Sequence, residues 1–489
     1  MDVNERLEYL DREYLSDFDV SDVDIHANIE RQAAFDKPVY ETKPYAITED
    51  ESLEDNTYLS YNAVIGTSVD AKLYLAFQIL DYALVMTPGA PVKQALLDAG
   101  ISTDVYSSYE TSLYQPVYSI VAKNSNSKEQ DRFVSVINDT LEKLVKDGIN
   151  ERTIEAGINY YEFKYREADY GPYPKGLMYY LTMMDSWLYD ETKPFIHIEA
   201  GDTFDELKKN ARNGYFEKLI KEYLLDNNHK SIISLVPEYG LEKEKEQKEA
   251  DKLAEYKSTL TNDELEELVK KTKELKEYQD TPSSQEDLEK IPILELSDIK
   301  REPAKDYNDV KSVDGIKIVH HNIFTNKIAY INMSFDTKCV PDELIPYMGL
   351  LGSTLSLMDT KNYTYPELTN EININCGGLA TGTALYSDKV DFSKNTIVYE
   401  VKSKALYEKV PFVLGMMEEI MYNTRFDDYK RLKEIIARIK SRLEASLMGQ
   451  GHSIAMLECC AQFSESAYYS DILRGYKYYE FIKKLDEEF

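Results

Sequence analysis

One order of strands and helices is written twice in this chain, on either side of a highly charged stretch at 241–279, and that repetition constrains the fold more than any other feature. In the first copy, residues 57–66 read as a short strand. Leu73, Phe77, Leu80 and Leu84 then recur at turn spacing, predicting a helix stopped by Thr87-Pro88-Gly89. A short helix at 93–99 ends on Gly100, suited to a left-handed cap. Strands follow at 104–109 and 117–123, and Val134, Ile137, Leu141, Leu144 and Val145 mark a longer helix. Asn150 opens another, further helices cover 177–189 and 203–225, and 231–236 closes the unit as a strand. The pair Thr203 and Glu206 reads as a capping box.

The second copy runs in the same sequence: a strand at 328–335, a helix at 343–357, and a short helix at 365–373 before Cys376-Gly377-Gly378. Strands at 379–386 and 396–402 follow, then helices at 405–421, at 426–448 and from 453 onward. This predicts an internal duplication and an α+β fold class, with two tandem domains of antiparallel-rich sheet packed by helices. A length of 489 residues suits two domains of roughly 200 residues and a connector.

The charged stretch carries Leu253, Tyr256 and Leu260, then Leu265, Leu268, Val269, Leu275 and Tyr278, with Thr261 and Glu264 forming a capping box at the break. It reads as a helical hairpin, serving as a solvated spacer or as a strut, and each narrow apolar stripe suffices only for mutual packing. Pro282 and Pro292 bracket its exit. Upstream, Leu7, Leu10, Tyr14 and Leu15 form a helical stripe, and a polar extended stretch at 22–55 holds Pro38 and Pro44. The expected organisation is a remnant of a preceding domain plus connector at 1–50, a first α+β domain at 51–238, the hairpin linker at 239–292 and a second α+β domain at 293–489.

Charge and residue spacing exclude several classes of function. A formal charge of −31 opposes binding to phosphate backbones, because nucleic-acid affinity comes mainly from cationic residues that displace counterions. No apolar run approaches the roughly 18 residues of a membrane span, and the N-terminus lacks a basic segment followed by an apolar one. Cys339, Cys376, Cys459 and Cys460 form neither a C-x-x-C pair nor a secreted-type framework, which suggests buried thiols in a reducing, cytoplasmic setting. A zincin helix needs two histidines one turn apart, yet His26, His197, His229, His320, His321 and His452 include no such pair.

Two stretches are distinctive. Pro88-Gly89-Ala90-Pro91-Val92-Lys93-Gln94-Ala95-Leu96-Leu97-Asp98-Ala99-Gly100 and Tyr165-Arg166-Glu167-Ala168-Asp169-Tyr170-Gly171-Pro172-Tyr173-Pro174-Lys175-Gly176-Leu177 resemble the second domain of presequence-protease-type members of the insulinase (pitrilysin-like) zinc metallopeptidases. Ser186-Trp187-Leu188-Tyr189-Asp190 and His320-His321-Asn322-Ile323-Phe324-Thr325-Asn326 strengthen that likeness, which extends over essentially the whole chain. It implies four similar domains in two bowl-shaped halves around a closed chamber, hinged at the hairpin. It also implies zinc in the intact enzyme, held by a first domain that this chain lacks apart from its end, and peptide substrates for the whole assembly. A fourth domain is likewise missing, so Met1 is expected to be an internal methionine of a longer frame.

No catalytic, cofactor-binding or metal-binding residue carries over. The second-copy helix in the position of the zinc helix reads Pro346-Tyr347-Met348-Gly349-Leu350-Leu351-Gly352-Ser353 and has no metal ligand. His320 and His321, adjacent on a strand, point to opposite faces and cannot chelate together. Pro88-Gly89-Ala90-Pro91 reads as a rigid turn and not as a phosphate loop, since prolines remove amide donors. Lys175-Gly176 reads as a helix entry, and Glu162, Glu167 and Asp169 as a solvated face or partners for Arg166. The expectation is a non-catalytic portion of a zinc metalloendopeptidase that contributes chamber wall and hinge, inactive alone. A free-standing inactive scaffold that pairs with a separate zinc-bearing subunit is the alternative.

Overall fold

The computed structural model describes residues 2–19, 29–291, 294–302, 307–325, 327–391 and 393–489. Met1, His26, Pro292, Asn326 and the start of the 22–55 stretch lie outside these. Helix α1 (Val3–Glu13) is capped by Asp2, which accepts from the Asn4 amide at 2.8 Å. Leu7, Leu10, Tyr14 and Leu15 are exposed on it and just beyond.

The first unit is built on strands β1 (Val39–Ile47), β2 (Thr57–Val64), β3 (Asp104–Glu110), β4 (Val117–Ser125) and β5 (Lys230–Tyr239), ordered β1-β5-β2-β4-β3 and antiparallel except for β1 beside β5. Strict alternation in β2 sends Leu59, Tyr61 and Ala63 to one face, where Tyr118, Ile120 and Ala122 of β4 join them. Helices α2 (Ala71–Asp81), α3 (Pro91–Asp98), α4 (Gln130–Asp147), α5 (Glu151–Glu167), α6 (Lys175–Trp187), α7 (Gly201–Asn210) and α8 (Tyr215–Leu219) belong to this unit. Phe77, Leu80, Phe133, Ile137, Leu141, Phe204 and Phe216 from these helices complete one continuous core. An 18-residue window within Ala71–Asp98 reaches the mean hydropathy of a membrane span, and 67% of that window is buried in the unit.

Two expectations for this unit need correction. Residues 39–47, read as connector, form β1, and Pro44 is tolerated because β1 is an edge strand whose outer side needs no ladder amide. The helix expected over 203–225 is two helices: α7 starts at Gly201 with no side-chain cap, and Gly214 at φ +69° separates it from α8, so Thr203 and Glu206 form no capping box.

The linker contains α9 (Leu241–Thr259), α10 (Asn262–Asp280) and α11 (Gln285–Lys290). Thr261 and Glu264 make the expected box, the Thr261 amide donating to Glu264 at 2.8 Å. The expected mutual packing is absent: Leu253, Tyr256, Leu268, Val269, Leu275 and Tyr278 are all exposed. Pairs one turn apart brace the helices locally instead, with Glu244–Lys248 at 2.6 Å and Glu267–Lys271 at 2.8 Å.

The second unit begins with an exposed hairpin of β6 (Asn308–Val313) and β7 (Ile316–His321). Its main sheet, β8 (Ile328–Asp336), β9 (Leu379–Ser387) and β10 (Asn395–Leu406), has the order β8-β10-β9, which repeats β2-β4-β3. Helices α12 (Ile345–Thr354), α13 (Tyr365–Asn375), α14 (Val410–Asn423), α15 (Tyr429–Gly449), α16 (Gly451–Cys460), α17 (Glu465–Arg474) and α18 (Tyr476–Glu488) complete it. The helix expected from residue 405 starts at Val410, because β10 continues to Leu406 in register with Ile328. The core is divided between one cluster around Leu368, Val401, Val413, Met417 and Ile420 and another of Leu350, Ile436, Tyr478 and Ile482.

Candidate functional site

The distinctive stretches of the sequence converge where the two units meet. Gly89, at φ +71°, lies so close to Tyr365 and Pro366 of α13 that a Cβ there would come within 2.8 Å of the proline ring. Gly377 follows α13 and faces Phe163 of α5 with equally little room. Polar contacts fix the register: Asn370 donates to Thr153 at 3.0 Å, Asn373 to the Tyr82 hydroxyl at 2.6 Å, and Arg152 pairs with Glu371. The Pro88-Gly89-Ala90-Pro91 turn is thus a packing element, with Pro91 opening α3.

At the end of α5, Glu167 reaches the second sheet. Its side chain is 6% exposed, pairs with Lys404 of β10 at 2.6 Å and accepts from the Tyr330 hydroxyl of β8 at 2.7 Å. The acidic group read from the sequence therefore separates. Glu162 holds Lys208 at 2.6 Å and Arg166 at 3.6 Å, Asp169 accepts from the Gly171 amide at 3.0 Å, and Glu167 alone crosses between units. Lys175 and Gly176 open α6 after Pro174, a helix entry as read.

Register places Tyr330 beside Lys404, Asn332 beside Lys402 and Ala380, and Ser334 beside Glu400 and Gly382 on the face of the sheet opposite Val401 and Tyr399 of the core. On this outer face Glu400 is buried. It accepts from Asn332 and from the Tyr386 hydroxyl at 2.8 Å each and pairs with Lys402 at 2.5 Å. Burial works to raise its carboxyl, but the bonds from Asn332, Lys402 and Tyr386 outweigh that and hold it below the ordinary range. An open concavity of about 510 Å³ adjoins this face, lined among others by His321, Tyr330, Asn332, Gly378, Lys402 and Lys404. It offers ammonium and amide donors beside a strand of a sheet.

A metal does not fit here. Among the described residues no group of three or more His, Cys, Asp or Glu is placed to hold an ion. His197 is buried with Nε2 2.8 Å from the Ser68 carbonyl and stacks on Tyr74 at 4.0 Å, and His229 packs edge-on to Phe35 at 4.6 Å. His320 and His321 are exposed on β7, and His452 is exposed on α16. The helix in the zinc-helix position, α12, buries Met348 and Leu350. Of the cysteines expected to be buried, only Cys376 is, and burial pushes its thiol up to about 11; Cys339 and Cys459 are exposed.

Sequence reading missed the Glu167 crossing and the Glu400 network. The alternation of Glu400, Lys402 and Lys404 in a predicted strand was a usable signal for a polar outward face.

Residues 235–485 match the family of domains associated with M16 peptidases of subfamily C, and residues 1–161 match the family described as Peptidase M16 inactive domain. The chain belongs to the M16 peptidases, in their subfamily C. Protein HypA of Clostridium perfringens is 38% identical over 100% of this chain and 50% of its own length. Presequence protease 1, chloroplastic/mitochondrial, of Arabidopsis thaliana is 30% identical over 97% of this chain and 45% of its own. The chain thus spans about half the length of these curated relatives. The crystal structure of pitrilysin aligns with 91% of this chain and 44% of that one at 13% identity and a TM-score of 0.38, too loose a likeness to carry an argument.

Proposed function

We propose that this chain forms chamber wall and hinge for a presequence-protease-type zinc metalloendopeptidase, with zinc and its ligands supplied by other domains of the assembly. The observation that carries the reading is the joint between the units. The family-like stretches serve as mutual packing surfaces, with Gly89 against Tyr365 and Pro366 and Glu167 bonded to Lys404 and Tyr330, so they set how one unit faces the other. Linker helices α9 and α10, with their exposed apolar stripes, are the hinge. Peptides are the proposed substrates of the assembly, and the outer face around Lys402 and Lys404 lines the wall they meet. Identity along the full chain to a protein named for presequence proteolysis supports this reading.

The test mixes the purified chain with the remaining half of the Clostridium perfringens relative and follows a quenched fluorescent peptide. Neither part is expected to cleave alone, and the mixture is expected to show chelator-sensitive cleavage. Chelator-sensitive turnover by this chain alone, or an associated mixture that stays inactive with zinc bound, overturns the proposal.

A further inference from the structure

In a protein of formal charge −31, cations gather with few acids to match them where α3 and β3 of the first unit meet α15 of the second. Arg431, Arg438 and Arg442 lie seven and eleven residues apart, which on an α-helix keeps all three within about 40° of one another, on a single face of α15. Two contacts fix α3 against the start of that helix and its neighbour α13. Lys430 pairs with Asp98 at 2.8 Å, and the Tyr365 hydroxyl donates to Gln94 at 3.4 Å. Lys93 is the residue before Gln94.

Arg431 anchors the group. It is 7% exposed, its guanidinium lies 4.1 Å from the centre of the Tyr365 ring, Nε donates to the Leu357 carbonyl at 3.1 Å and Nη1 pairs with Glu434 at 3.0 Å. Its buried Nη2 has no partner. Lys93 and Arg438 are half-buried and Arg442 is exposed. The acids that bear on the group are Asp104, at the start of β3, and Glu434, which Arg431 already engages.

Their mutual influence is visible in their acidities. Burial pushes the Lys93 amine down to about 8, with Asp104 opposing and Arg438, Arg442 and Arg431 adding to the effect. Burial, Arg442 and Arg431 push Arg438 down to about 10. Partly desolvated like charges are costly to hold together, and a multivalent counter-anion removes that cost. A single carboxylate brings one charge to four cations, whereas a tetrahedral phosphate brings nearly two, with oxygens on every side for guanidinium forks.

We propose that Lys93, Arg431, Arg438 and Arg442 form a binding site for a phosphate-class oxyanion at the joint between the two units. Inorganic phosphate and pyrophosphate are the probes, titrated calorimetrically into the full chain, with sodium chloride at matched ionic strength and citrate as controls. Saturable binding of either phosphate is expected, together with a rise in Tm. Arg438→Met should weaken it about tenfold or more. In phosphate-free buffer the same variant should melt no lower than the parent, since one of the repelling charges is gone, which separates loss of binding from loss of fold. Lys93→Met should act in the same direction. The proposal fails if neither phosphate gives saturable heat, if both variants bind like the parent, or if citrate binds as tightly as pyrophosphate.

Discussion

The two units share a strand order, β2-β4-β3 and β8-β10-β9, and differ in what is built upon it. In the first, β5 and β1 extend the sheet and one core runs unbroken from Leu59 to Ile232. In the second, β8 has no further strand beside it among the described residues, and the helices bury two separate clusters. Hydrophobic stabilisation scales with the apolar area removed from water, so the first unit should be the more stable and the second should lean on its neighbour through α5, α13 and Glu167. Topology alone does not set stability; the continuity of the core does.

The largest effect should come from the first core. Phe77 is fully buried against Tyr109, Tyr118 and Tyr223, and Phe77→Ala should cost about 3–5 kcal/mol. In urea, followed by circular dichroism and tyrosine fluorescence, two transitions are expected, and this variant should lower the later one. If a single transition moves as a whole, the units are one cooperative block and the comparison breaks.

Gly352 tests the second unit from inside. A Cβ there would lie 2.7 Å from the Cα of Gly382, and backbone cannot step aside as a flexible side chain can. Gly352→Ala should cost about 1–3 kcal/mol, lowering the earlier transition and leaving the later one in place. An unchanged first midpoint would show that α12 and β9 have slack that the packing denies.

Coupling between the units is tested by Glu167→Gln, which keeps the shape but removes the charge facing Lys404. The loss should be about 1–2 kcal/mol, since hydrogen bonds to charged groups are worth somewhat more than neutral ones and Lys404 is partly open to water. The two transitions should move further apart in urea. Equal displacement of both would assign Glu167 to the stability of α5 and not to the joint.

How much of this was legible follows the range of the interactions. The alternation of β2, the turn spacing of α2 and the Thr261 capping box are local and could be read directly. Strand β1 was not, because its pairing with β5 joins Val39 to Ser231 and the prolines at 38 and 44 argue locally against a strand. The start of α14 was misplaced because Ala405 and Leu406 suit a helix and a buried strand equally, and only the register with Ile328 decides. Glu167 looked like one carboxylate among three, since nothing in its neighbourhood names Lys404.

The smallest effect concerns Glu400 and acid. Its carboxyl is held below its ordinary value, so in the folded protein it stays ionised to lower pH than in the unfolded chain. Its contribution is fully present above the unfolded pKa of about 4.3 and is lost as pH falls through the lower folded value. Among the described residues the strands of the first sheet carry no such buried acid, so mild acid should lower the earlier urea transition more than the later one. Glu400→Gln keeps the bond from Asn332 but loses the ion pair with Lys402, and should cost about 1 kcal/mol at neutral pH while flattening that acid response. If the variant keeps the parent's full acid sensitivity, the proton is taken up elsewhere in the second unit. Glu458 is not that place, because the neighbouring Asp471 carboxylate shifts it upward and its contribution instead fades as pH rises through its raised folded value.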